Sequence, residues 1–198
     1  MLGASVAFTV MVTLVKVVRE DLTAFEVIAW RSLVSLPLAW MAARQGGLGI
    51  TARGPLVGRC LLGFSAMVCF FTAAKGLPVT DLALIGKLQP LAIAVLAPLV
   101  LGAGERPGRH VWVTLALGLC GCIVLLGPEL GESPVPADVR LHFGAIAVAA
   151  AVFSASAHTL VRRLGATERP AAVVFWFQAA VLPLALVGVV VTGVEPVT

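Results

Sequence analysis

Apolar runs about as long as a bilayer is thick recur along the whole chain, separated by short clusters of charge, Gly and Pro. They fall at about 1–18, 24–43, 56–75, 80–102, 111–128, 141–161 and 171–193, and a spanning helix needs roughly 20 mostly apolar residues. Of the 198 residues, 60% are hydrophobic and 12% charged, whereas soluble domains are about 45–50% apolar and about 25% charged. No soluble fold hides that much apolar surface, so the sequence predicts an all-α polytopic membrane protein of about seven transmembrane helices, with the lipid bilayer as its surroundings. Short connections make consecutive helices antiparallel. The composition excludes a disordered chain, a disulfide scaffold and a nucleic-acid-binding module.

Sorting charge by side predicts orientation, because cytoplasmic loops collect Lys and Arg. The connections after the second, fourth and sixth runs hold Arg44, Arg53, Arg59, Arg106, Arg109, Arg162, Arg163 and Arg169 against Glu105 and Glu168, a net of +6. The opposite side holds Lys16, Arg19, Arg31, Lys75 and Arg140 against eight carboxylates, a net of −3. The N-terminus is thus expected in the cytoplasm and the C-terminal end of the chain outside, in a bacterial plasma (inner) membrane. The first run has no basic n-region, and Lys16-Val17-Val18-Arg19 is a poor cleavage site, so it does not read as a signal peptide.

Internal repetition is the next signal. Gly3-Ala4 matches Gly144-Ala145, and Leu36-Pro37-Leu38-Ala39 in the second run matches Leu182-Pro183-Leu184-Ala185 in the seventh. The copies are offset by five spans, an odd number, so the second lies upside down relative to the first, as in inverted-repeat carriers. Cys60, Cys69, Cys120 and Cys122 lie inside spans, where small packing residues are the simplest reading; no metal or cofactor site is expected. No clustered catalytic set, nucleophile elbow or phosphate loop appears either, so the chain does not read as an enzyme.

Intramembrane polar groups are functional hypotheses by default. Lys87 lies about 9 Å, six helical residues, below Asp81; Gln89 lies deeper; Pro90 and Pro98 free backbone carbonyls and are expected to kink the helix. Together these form a candidate wall of a substrate cavity. Arg31 in the second run, with Glu26 as its expected ion partner, and Trp176 and Gln178 in the seventh are further cavity candidates. His158, titratable near neutral pH, is a weaker candidate for proton coupling. Ala147, Ala151 and Ala155 form a small-residue stripe suited to close helix packing.

Phe71-Thr72-Ala73-Ala74-Lys75-Gly76-Leu77-Pro78, then Asp81-Leu82-Ala83 and Pro90, resembles the third-to-fourth helix signature of EamA-type carriers in the drug/metabolite transporter superfamily. Leu101-Gly102 with Glu105-Arg106 is similar to that family's helix-ending glutamate, with Ala103 and Gly104 interposed. The resemblance implies two inverted five-helix repeats around a central cavity for a small-molecule substrate, the first at residues 1–128 and an incomplete second, of two helices, at 141–198. A second repeat as long as the first would need about 76 further residues, three helices. The expectation is therefore an incomplete inner-membrane secondary transporter of small organic metabolites or drugs, with a non-transporting relic as the alternative and a homodimer as a possible assembly.

Overall fold

A computed structural model describes residues 23–102, 104, 107–131 and 136–192. Within them the chain forms α1 (Ala24–Arg44), α2 (Arg53–Gly76), α3 (Val79–Gly86), α4 (Leu88–Leu101), α5 (Arg109–Gly131), α6 (Ala137–Leu164) and α7 (Pro170–Thr192). There is no β-strand among the described residues. The helices coincide with the second to seventh apolar runs, while the first run, with Gly3-Ala4, lies outside the described residues. Four segments are long and apolar enough to cross a membrane: α2, α3 together with α4, α6 and α7. α1 has the length but is diluted by Glu26, Arg31 and Arg44, and the apolar stretch of α5, Arg109–Val124, is shorter. The chain is an integral membrane protein.

Local chemistry sets the helix ends. Thr23 caps α1 and Glu26 answers it: the Thr23 hydroxyl accepts from the Glu26 backbone N–H at 3.3 Å. The Glu26 carboxylate accepts from the Thr23 N–H and O–H at 2.7 and 2.9 Å. Such a box satisfies donors that a helix start leaves unpaired. The fourth run is divided at Lys87, three residues before Pro90. Proline is tolerated in the first turn of a helix, where its missing N–H is not needed, so restarting the helix at Leu88 accommodates Pro90 without a broken bond. Pro98 lies inside α4, as Pro37 does in α1 and Pro183 in α7.

Two tight pairings organise the bundle. α1 lies mainly along α7, whereas α6 lies along α2, α3 and α4. Val27 and Ile28 of α1, Cys60 and Phe71 of α2, and Phe177, Val181 and Ala185 of α7 share one core. Ala73, Ala74, Leu77, Leu82 and Ala147 form a second between α2, α3 and α6. Small residues permit the close approach expected of membrane helices: Ala147, Ala151 and Ala155 are all buried. A Cβ on Gly76 would overlap the Phe143 ring, and one on Gly188 would overlap Phe25. Leu99, Leu117, Leu141, Val124 and Val190 point outward, where lipid is the compatible solvent.

Polar ties lock both ends. At one end the buried Asp81 carboxylate accepts from Arg140 Nε at 2.7 Å and Nη2 at 3.0 Å, joining α3 to α6. At the other, Glu168 accepts from the backbone N–H groups of Thr51 and Ala52, each at 2.8 Å. It thereby places an anion at the start of α2, whose own N-cap, Ala52, has no side chain able to do so. Arg169 donates to the Gly46 carbonyl, and Trp176 Nε1 donates to the Leu48 carbonyl at 2.8 Å. The loops after α1 and α6 thus share one end.

Candidate functional site

The α1–α7 pairing buries a polar seam. Gln178, 6% exposed, donates from Nε2 to Ser35 Oγ at 2.5 Å, and the Ser35 hydroxyl donates to the Arg31 carbonyl at 2.6 Å. Ser32 is fully buried. Its hydroxyl and the Gln178 Oε1 atom have no hydrogen-bond partner among the described residues. Buried polar atoms without partners are unfavourable and rare. Stepping back from Gln178 by the interval between Pro37 and Pro183 reaches Ser32.

Two guanidinium groups flank the seam. Arg31 reaches α2, its Nη1 lying 2.7 Å from the Met67 sulfur. Arg59 of α2 stacks on the Phe177 ring of α7, 4.0 Å from its centroid. Gly63 makes that stack possible, because a Cβ there would overlap the Arg59 guanidinium and approach the Phe177 ring to 2.7 Å. Arg59 Nε is buried without a hydrogen-bond partner among the described residues. The expected Glu26–Arg31 pair does not form: Glu26 is consumed by its own helix start, a contact within one turn that outcompetes a partner farther along the helix.

The other sequence candidates lie elsewhere. Gln89 of α4 meets His158 of α6, with Nε2 and Nδ1 at 3.3 Å, while His158 Nδ1 also lies 2.8 Å from the Ser154 carbonyl. Lys87 is exposed at the helix break. A cleft of about 470 Å³ opens between α4, α5 and α6, lined by residues including Pro90, Ala97, His110 and Arg162 and by none of Lys87, Gln89 and His158. Trp176 is spent on the Leu48 carbonyl at the end of the bundle. The five cavity candidates are therefore divided: Arg31 and Gln178 in the α1–α7 seam, Lys87 and Gln89 on the α4 side, Trp176 at the rim.

Sequence reasoning missed Arg59, Ser32 and Ser35. Arg59 had been counted with the loop charges that set topology. Its position inside the third apolar run and the Gly63 four residues on, one helical turn, were the available signals.

Residues 1–127 match the EamA-like transporter family. The pseudopaline exporters CntI of Pseudomonas aeruginosa strains UCBPP-PA14 and PAO1 are each 29% identical over 186 residues, which is 92% of this chain and 62% of theirs. The chain therefore spans about three fifths of the length of these relatives. No solved structure matches it. The third-to-fourth helix signature, its lysine, prolines and aspartate included, lies within the matched segment, and the chain belongs to the EamA-like transporter family.

Proposed function

We propose that this chain acts in a bacterial inner-membrane secondary carrier that moves a small organic metabolite, at the length its relatives have. The observation that carries the reading is the buried α1–α7 seam, where Gln178 donates to Ser35 and polar atoms of Gln178 and Ser32 are left unpaired. Inverted-repeat carriers place their substrate sites near the midplane at such a repeat interface. Family membership and the exporter relatives support the same assignment.

In this reading Arg31 and Gln178 meet the substrate at the α1–α7 seam, Lys87 and Gln89 meet it separately on the α4 side beside the break before Pro90, and Trp176 fixes the rim. His158, held by Gln89 and Ser154, is the proposed proton-coupling group. The strongly basic ends of α1, α2 and α6 face the cytoplasm, so the N-terminus is inside. The test is solute exchange in proteoliposomes containing the protein purified at the length its relatives have, with a panel of small metabolites that includes pseudopaline. Saturable counterflow of at least one solute, reduced by Gln178→Leu, is expected. Exchange of no solute above empty liposomes would overturn the carrier reading.

A further inference from the structure

We propose that Arg31 and Arg59 form a two-step binding column for a carboxylate, with Ser32 and Gln178 as its neutral polar lining. The proposal rests on the carrier reading above and names the chemical class of what that carrier takes.

Charge balance is the first argument. α2 and α7 contain no Asp or Glu, and α1 contains only Glu26, whose oxygens are engaged at Thr23. The seam thus holds two of the four guanidinium groups on these three helices, and the helices offer no carboxylate available to either. Intramembrane charges ordinarily pair with one another or line a watery pathway; here the counter-charge has to come from outside the seam.

Geometry is the second. Arg59 is six residues into α2, about 9 Å along its axis, and Arg31 is thirteen residues from the end of α1, about 20 Å deep, measured from the same end of the bundle. Arg31, exposed on the bundle, is too deep to reach headgroups at that end and stands seven residues, about 10 Å, from the other. Arg59 is close enough to do so, yet its guanidinium is held against Phe177 in space left by Gly63. Its buried Nε–H and the Ser32 hydroxyl are donors without acceptors. The sulfur that Arg31 meets is a weak acceptor. Planar guanidinium forks fit carboxylates in pairs of parallel hydrogen bonds, so an entering carboxylate satisfies the unused donors. Gln178 Oε1, unpaired beside them, accepts from a hydroxyl or ammonium on the same molecule.

Binding is tested on the purified chain in detergent, using the fluorescence of Trp30 and Trp176, the neighbours of Arg31 and Phe177. Succinate, citrate and glutamate are titrated, with succinamide as the neutral control. Saturable changes with the carboxylates and none with succinamide are expected. Arg31→Gln and Arg59→Gln should each weaken binding roughly 10-fold to 150-fold, the usual range for a lost hydrogen bond to a charged group. Arg31→Lys should retain an intermediate affinity, which separates loss of binding from loss of fold, and Gly63→Ala should act like Arg59→Gln by displacing the stack. The proposal is overturned if none of the three anions produces a saturable change, if succinamide equals succinate, or if both glutamine variants bind as the parent does. Proteoliposomes that exchange neutral solutes but ignore these anions would remove the column and leave the carrier standing. Carboxylate binding without exchange of any solute would remove the carrier and leave the column.

Discussion

The Asp81–Arg140 pair predicts an asymmetric response to mutation. The Asp81 side chain is 6% exposed and that of Arg140 32%, and the pair is bidentate. Removing the arginine strands a buried carboxylate, for which the cost of breaking a fully buried pair, about 3–5 kcal/mol, is the upper bound. Because water reaches the arginine side, Arg140→Gln is expected to destabilise by about 2–3 kcal/mol. Asp81→Asn leaves the cation instead on the wetter side, within reach of water or headgroups, and is expected to cost about 1–1.5 kcal/mol, near a single net hydrogen bond. The double variant removes both charges and should cost less than the two single changes together, with a coupling energy of about 1–2 kcal/mol. Unfolding by SDS titration in mixed micelles measures all four proteins. Strict additivity, or Asp81→Asn costing more than Arg140→Gln, would refute the claim that burial of the carboxylate dominates this contact.

Other expectations follow from single contacts. Gly76→Leu should destabilise by about 1–3 kcal/mol by overpacking against Phe143, whereas Gly86→Ala, which meets nothing within 4 Å, should leave SDS unfolding unchanged. Glu168→Gln removes the anion from the start of α2 and should cost about 0.5–2 kcal/mol, read in the same titration. In a cysteine-free background, a cysteine at Asp138 should react with a membrane-impermeant maleimide in whole cells and one at Gly47 should not; the opposite pattern reverses the orientation. Lys87→Ala and Gln89→Leu should each lower solute exchange in proteoliposomes while leaving insertion normal, and unchanged exchange in both would reduce α4 to a packing role.

Helix positions were legible because a bilayer demands length and apolarity together, and both are written in consecutive residues. What was harder to read was the outcome of competition between neighbours. Pro90 announced a disruption, but the chain solved it by restarting at Leu88, so the break sits at Lys87. Arg31 and Glu26 share a helix and opposite charge, yet Thr23-x-x-Glu26 was itself a capping signature, and the local contact took the carboxylate. Within the candidate site, Gln178 stood out as a lone amide in an apolar helix. Ser32 and Ser35 did not, since serines are common in such helices and only the α1–α7 crossing makes them partners. Arg59 was obscured by its resemblance to a loop charge. Its stack on Phe177 joins residues far apart in sequence, and no pattern along the chain encodes that meeting.

Because α1 is married to α7 while α6 is joined to α2, α3 and α4, the molecule's mechanical halves cut across chain order: each contains helices from both ends of the sequence. The boundary between these halves is spanned by Arg31 reaching to Met67 and Arg59 reaching to Phe177. It is also stitched at one end by Glu168 holding the start of α2. An anion passing from one arginine to the other along the proposed column would therefore travel past the contacts that join the two pairings.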